Sequence, residues 1–301
     1  MTALIVILAG GTMLLLAVAM AWVLGWANKT FHVEVNPLVD QAIDILPGAN
    51  CGGCGYVGCA EYAEAVVAGK AAPNLCSVGG ESCSQALAAL LGIEVSEALP
   101  YRPVVHCAAD YDDRLKRAEY TGEPTCGAAN LIAGVQGCTY GCLGFGDCQQ
   151  ACPFDAIHVV NGLATVDYDK CVGCGACAKV CPRNIISMVP FKAERILACA
   201  CSNHDPGKVT RQVCKVGCIG CGLCRKLNDL FNVTDNLAGI DYDRYDPEMD
   251  FQPVLAKCPR NGLLYVGKPS PQDLAAVADE ELPERVEADF KTTVDKTEFR
   301  G

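Results

Sequence analysis

Residues 171–182 read Cys-Val-Gly-Cys-Gly-Ala-Cys-Ala-Lys-Val-Cys-Pro. Thiols packed that closely must be tied off by disulfides or by a metal. Three further runs share the property: Cys51-x2-Cys54-x4-Cys59 with Cys76, Cys138-x3-Cys142-x5-Cys148-x3-Cys152-Pro153, and Cys218-x2-Cys221-x2-Cys224 with Cys258-Pro259. Disulfide frameworks belong to short secreted domains, and 22 cysteines spread over 301 residues do not fit one. Four thiolates converging on a cube of iron and sulfide need tight backbone turns. Gly52, Gly53, Gly55 and Gly58 supply them in the first run and let N–H groups aim at sulfur. Paired cysteines two apart also suit a zinc knuckle, but three thiols between Cys51 and Cys59 favour a cluster.

The run 171–182 has the spacing of a bacterial two-cluster ferredoxin, where the last cysteine of each run ligates the other cluster. That rule groups Cys138, Cys142, Cys148 and Cys181 on one [4Fe–4S] cluster, and Cys152, Cys171, Cys174 and Cys177 on a second. Cys-Pro-x-x-x-Ile occurs at 152–157 and again at 181–186, an internal repeat that predicts a short helix turning into a strand in each copy. The run from Cys138 is wider than the standard spacing, so its loop is wider. Cys218, Cys221, Cys224 and Cys258 form a further set. Asn228-Asp229 stands where Cys-Pro would follow Cys224, and Asp241-Tyr242-Asp243-Arg244-Tyr245 matches Asp167-Tyr168-Asp169-Lys170-Cys171 with the cysteine gone. This module therefore reads as degenerate, keeping one cluster of two. Cys83 lies on the apolar pattern of a helix and reads as a small buried hydrophobe. Cys107, Cys126, Cys199, Cys201 and Cys214 have no diagnostic local spacing. His32, His106, His158 and His204 are not read as ligands, His204 being the nearest to one at three residues from Cys201.

Leu4 to Trp26 carry no charge, long enough as a helix to span the hydrocarbon core of a bilayer, with Trp22 and Trp26 at one end. No basic segment precedes Leu4, so an anchor is expected rather than a cleaved signal. Lys29 and the reducing environment that thiolates need put the C-terminal side in the cytoplasm. Asn36-Pro37 opens a helix that Pro47-Gly48 stops, and helices over 60–68 and 84–91 end at Gly69 and Gly92. The expected α+β organisation is a transmembrane anchor (1–28), a small four-Cys [4Fe–4S] domain (29–92) and a connector (93–125). A two-cluster ferredoxin-like domain (126–190), the degenerate ferredoxin-like module (191–265) and an acidic tail (266–301) follow. A net charge of −11 excludes a chain-wide nucleic-acid binder, and there is no Gly-rich dinucleotide fingerprint. Residues 191–226 are locally basic, with Lys192, Arg195, Lys208, Arg211, Lys215, Arg225 and Lys226 against Glu194 and Asp205. Such a patch steers an acidic redox partner or is simply a solvated face.

Together these parts resemble the B subunit of the Rnf complex, an ion-translocating ferredoxin:NAD+ oxidoreductase. The resemblance rests on the anchor, on Asp44-Ile45-Leu46-Pro47-Gly48 running into Cys51-Gly52-Gly53-Cys54-Gly55-Tyr56-x-Gly58-Cys59, and on Cys76 with Gly79-Gly80. Gly141–Cys148 and Val213–Cys221 resemble the long form of that subunit. The resemblance implies a single-pass subunit of the cytoplasmic (inner) membrane, with its cluster domains on the cytoplasmic side. It implies soluble reduced ferredoxin as electron donor and the sister subunits of the complex as acceptors. Those subunits would handle NAD+, flavin and ion movement; this chain would carry electrons as part of the translocase and hold no catalytic residue. Long forms usually have a complete second ferredoxin module, so their cluster count does not transfer, and four [4Fe–4S] clusters are assigned. Long forms also resemble this chain at Cys107, Cys126, Cys201 and Cys214, enough thiols for a fifth, with Cys199 an alternative to Cys201. The rival readings are an iron–sulfur subunit of another redox enzyme or corrinoid system, against which the anchor and the two ferredoxin-like blocks argue; a zinc scaffold, which visible absorbance bleached by dithionite would exclude; and a redox sensor, for which no DNA-binding or signalling module is evident.

Overall fold

The computed structural model describes residues 2–31, 36–95, 99–115, 120–132 and 134–268; His32 and the acidic tail from Ser270 lie outside them. Helix α1 (Thr2–Thr30) includes a stretch, Ile7–Thr30, that is long and apolar enough to cross a membrane, and none of it is buried. Leu14, Leu15 and Trp22 are each about 70% exposed, an arrangement that water disfavours and a bilayer suits.

Three helices follow: α2 (Pro37–Ile45), α3 (Cys59–Val67) and α4 (Gly80–Leu91). Asn36 caps α2, its side chain accepting from the Leu38 N–H, with Pro37 at the first helical position. Gly92 ends α4 in the left-handed region, φ 66°. Helix α4 starts about a turn before the expected Ser84, because the Gly79-Gly80 turn beside Cys76 also serves as its N-terminus. Val39, Ala42, Leu46, Tyr62, Ala63, Val66, Cys83 and Leu87 form the small core between the three helices, whereas Leu38 is exposed.

The rest of the chain consists of two halves with one strand plan. The first runs β1 (Tyr101–Val105), α5 (Cys126–Asn130), α6 (Asp147–Gln150), β2 (Ile157–Val160), β3 (Leu163–Val166), α7 (Ala176–Val180) and β4 (Ile186–Pro190). Strand β1 pairs antiparallel with β4, Val105 opposite Ile186, and β2 forms a hairpin with β3. Asn161 and Gly162 at the hairpin tip have φ of 46° and 77°, the paired positive φ of a type I′ turn. The second half runs β5 (Arg195–Cys199), α8 (Gly207–Val213), α9 (Leu223–Leu227), β6 (Phe231–Thr234), β7 (Leu237–Ile240), α10 (Gln252–Lys257) and β8 (Leu263–Gly267). Here β5 pairs with β8 and β6 with β7, again with two positive-φ residues, Asp235 and Asn236, at the tip.

The segment read as a connector thus supplies the first strand of the first half. Pro100 and Pro103 hide it from a propensity reading, but β1 has a partner on one side only, where proline is tolerated. The halves share a core: Val104, Val189 and Phe191 of the first pack with Ile196, Leu197, Phe231, Tyr245 and Phe251 of the second.

Candidate metal centres

Cys51, Cys54, Cys59 and Cys76 line a cavity of about 330 Å3 between the α2 C-terminus and the start of α3. Asn50 holds the loop in place, its Oδ1 accepting from the Cys59 N–H at 2.8 Å. The Tyr62 hydroxyl, inside the helical core, donates to the Ala72 carbonyl and accepts from the Leu75 N–H, one residue before Cys76. The Gly79 N–H points at the Cys76 sulfur at 3.3 Å. Cys83 packs against Gly79 so closely that a Cβ there would lie 2.4 Å from the Cys83 Cβ.

In the first ferredoxin-like half, Cys152, Cys171, Cys174 and Cys177 are neighbours. Burial and then the like charges of Cys171, Cys174 and Cys152 push the Cys177 thiol up to about 12. Around Cys148 the structure also brings in Cys126, which spacing does not group with it. Cys148 is raised by burial and then by Cys142, Cys126, Cys177 and Cys181. Cys126 sits at the start of α5, its sulfur receiving the Phe145 and Gly146 N–H groups. Its own N–H and that of Gly127 bond the Asp147 carboxylate at 2.8 and 3.0 Å. Cys138 instead lines a cavity of about 410 Å3 with Cys107, Cys201 and Cys214, next to the Cys142 backbone. The long insertion after β1 thus brings Cys126 beside the Cys142 run, while Cys138 faces Cys107, Cys201 and Cys214.

A cavity of about 450 Å3 in the second half is lined by Cys218, Cys221, Cys224 and Cys258, and also by Cys199. Cys199, at the end of β5, donates its S–H to Cys218. That hydrogen bond, opposed by burial, brings the Cys218 thiol down to about 6. Cys199 therefore faces a different cavity from Cys201. Cys221 is exposed, as are Leu223, Arg225, Lys226 and Leu227 just after it.

The chemistry of these sets fits clusters better than single ions. Among the described residues, no three His, Cys, Asp or Glu side chains are grouped to hold one metal ion, whereas zinc draws its sulfurs in with bonds of about 2.3 Å. The buried side-chain polar atoms without a partner are Ser77 Oγ, Arg102 Nη1 and Arg260 Nε. Ser77 and Arg260 line the first and last cavities, and the Arg102 charge acts on Cys171. Orphaned donors beside thiol sets are what bridging sulfides would satisfy. Arg114, buried, donates to the Cys142 and Gly162 carbonyls and lies over the Tyr111 ring. Arg183 donates to the Cys138 and Gly141 carbonyls at 3.1 and 2.6 Å.

The histidines have other duties. His106 is held between the Cys199 carbonyl and Ser187 Oγ, so Nδ1 carries the proton and Nε2 accepts, and burial lowers its pKa. His204 contacts the Asp235 carbonyl and the Tyr140 ring, and His158 contacts Asp155. Of the basic residues in 191–226, Lys192 binds the Asp243 and Tyr245 carbonyls, Arg195 stacks on Tyr265, and Lys215 binds the Asp112 carbonyl. Lys208, Arg211, Arg225 and Lys226 are exposed.

The helical domain sits against the first half at its cluster loop. A Cβ on Gly53 would lie 3.1 Å from the Cys174 Cα, and Lys179 donates to the Gly52 carbonyl at 3.1 Å.

Two family models match the chain: "Putative Fe-S cluster" over residues 46–78 and "4Fe-4S dicluster domain" over residues 139–188. The second begins just after Cys138. The chain is similar to the B subunit of the Na+-translocating ferredoxin:NAD+ oxidoreductase complex of Acetobacterium woodii, 42% identical over 78% of this chain and 70% of that protein. It is similar to the B subunit of the ion-translocating oxidoreductase complex of Methanosarcina acetivorans, 41% identical over 72% and 83%. The B subunit of the proton-translocating ferredoxin:NAD+ oxidoreductase complex of Clostridium ljungdahlii is 40% identical over 80% and 86%.

Proposed function

The chain belongs to the B-subunit family of ion-translocating ferredoxin:NAD+ oxidoreductase complexes, and from that premise we propose that it is the complex's membrane-anchored electron carrier. Reduced ferredoxin is the donor and the sister subunits are the acceptors. We propose four [4Fe–4S] sites: Cys51, Cys54, Cys59 and Cys76; Cys152, Cys171, Cys174 and Cys177; Cys126, Cys142, Cys148 and Cys181; and Cys218, Cys221, Cys224 and Cys258. The second ferredoxin-like half keeps one site of two. α1 anchors the chain by a single pass, with the cysteine domains on the cytoplasmic side. When bound, the clusters supply one-electron redox changes with no need of acid, base or nucleophile. The chain's own part is to hold them, shield them and set their potentials through burial, N–H···S bonds and nearby cations such as Arg114 and Arg183.

The observation that carries this reading is the contact between neighbouring sets. Gly53 of the first set lies against Cys174 of the next, and Cys177 adjoins Cys148. A side chain at position 53 would press on the Cys174 backbone at 3.1 Å. At the far end, exposed Cys221 stands with Arg225 and Lys226 as the docking edge for an acidic partner. The test is anaerobic mixing of the iron-loaded full-length chain in detergent with reduced ferredoxin. Prompt bleaching of the visible thiolate-to-iron absorption is expected. A colourless protein with stoichiometric zinc, or an iron-loaded one that ferredoxin does not reduce, overturns it.

A further inference from the structure

We infer that Cys107, Cys138, Cys201 and Cys214 form a fifth [4Fe–4S] site at the seam between the two ferredoxin-like halves, each half giving two thiols. The inference rests on the proposed function in taking clusters as what the thiol sets bind. The seam cavity, about 410 Å3, falls between the first and last ones, about 330 and 450 Å3. Cys138, Cys201 and Cys214 are buried. The cavity wall aims donors at sulfur. Asn203, only 2% exposed, points Nδ2 at the Cys138 sulfur and its N–H at the Cys201 sulfur, both at 3.4 Å. The Cys138 sulfur also receives the Tyr140 and Gly141 N–H groups, and the Cys214 sulfur those of Val216 and Gly217. Neutral buried thiols need no such array; it suits thiolates carrying a cluster's charge.

Internal symmetry supports the assignment independently. Cys107 lies two residues beyond the end of β1, and Cys201 two beyond the end of β5. Cys138-x3-Cys142 in the first half matches Cys214-x3-Cys218 in the second, and Cys181-Pro182-Arg183-Asn184 matches Cys258-Pro259-Arg260-Asn261. The contacts match as well as the letters. The Cys142 N–H points at Cys107 sulfur at 3.5 Å, and the Cys218 N–H at Cys201 sulfur at 3.2 Å. Arg183 donates to the Cys138 carbonyl, and Arg260 to the Cys214 carbonyl. Under this correspondence Cys142, Cys148 and Cys181 answer to Cys218, Cys224 and Cys258. Cys221 then lacks a partner in the Cys142 run, and Cys126, from the insertion, fills that place. Each half thus contributes one pair to the seam; the second keeps one complete set of four and the first keeps two. The same two N–H groups tie the seam to the set on either side, so it joins the last set to the rest.

The experiment is iron and acid-labile sulfide per chain, with spin-counted EPR, on the anaerobically prepared full-length protein in detergent. Wild type is expected to hold about twenty irons in about five centres. Cys214→Ala and Cys138→Ala should each lose one centre, and the double variant Cys107→Ala/Cys214→Ala the same one. Cys107→Ala/Cys126→Ala should lose two centres, because those thiols serve different sites. About sixteen irons in wild type overturns the seam site while leaving the electron-carrier reading intact. Loss of only one centre from Cys107→Ala/Cys126→Ala overturns the grouping. Iron-free protein with zinc overturns both readings. The wild-type count decides the seam site even if every variant fails to fold.

Discussion

Replacing Cys199 by alanine isolates the contribution of one hydrogen bond to one centre. Cys199 lines the cavity of the Cys218 set, and its S–H bonds the Cys218 sulfur. A hydrogen bond to a charged acceptor contributes about 1.5–3 kcal/mol, and S–H is a weak donor, so about 1 kcal/mol is a fair figure here. The bond strengthens as electron density on sulfur rises, so it favours the reduced state. If all of it moved the couple, about 1 kcal/mol would be about 40 mV, at about 59 mV per tenfold for one electron. A fall of about 20–40 mV in the midpoint of this centre is expected in Cys199→Ala, with iron content unchanged. Cys199→Ser keeps a donor and should recover most of the shift. The assay is an EPR-monitored redox titration of the iron-loaded chain. An unmoved midpoint, or equal falls in the Ala and Ser variants, would refute the hydrogen-bond argument. Loss of iron would mean that Cys199 is itself a ligand.

Three other perturbations test separate parts of the fold. Arg225→Glu with Lys226→Glu should slow oxidation of reduced ferredoxin, measured by stopped flow, and the difference from wild type should shrink as salt is raised. Gly173→Ala should lose the cluster of the Cys171 set, read as iron per chain, because Gly173 has φ 75° and a Cβ would lie 2.0 Å from the Tyr101 carbonyl oxygen. Phe251→Ala should destabilise the second ferredoxin-like half by about 3–5 kcal/mol, seen as faster amide exchange in β5 and β8, because Phe251 is 1% exposed and stacks on Tyr245 at 5.4 Å.

What could be read from the sequence, and what could not, follows from how local each signal is. The helix caps at Asn36 and Gly92 need only a few neighbouring residues. The Cys51 and Cys171 runs likewise carry their own geometry. The approach of Cys126 to Cys148 was hidden because it depends on where a long insertion returns, which spacing within one run does not encode. Cys107 and Cys201 acquire meaning only once β1 and β5 are known to end two residues before them, and prolines disguise β1. A usable signal was nevertheless present in Cys-x3-Cys at 138 and 214 and in Cys-Pro-Arg-Asn at 181 and 258. Reading those as one repeat aligns the two halves from the residue letters alone. Cys199 was not separable from Cys201 on spacing; the cavity each faces separates them.

The two halves also show how one strand plan accommodates a cysteine in one copy and an aromatic ring in the other. Tyr168 donates its hydroxyl to the Pro103 carbonyl of β1 at 2.9 Å, and Tyr242 donates to the Leu197 carbonyl of β5 at 3.0 Å. That pair confirms the register in which Cys171 corresponds to Tyr245. In the second half this position is aromatic: Tyr245 accepts the Leu197 N–H, stacks on Phe251, and packs with Phe231 in the shared core. Aromatic rings offer the buried apolar area that a cluster and its four thiols otherwise organise. The strands therefore keep the same pairing with an aromatic core at that position. Restoring cysteine at 245 alone should then add no iron, because Asn228 and Asp229 still stand where the Cys-Pro of a complete module would be and the aromatic core still fills the space. An added centre in Tyr245→Cys would show instead that the space persists and that only a ligand is missing.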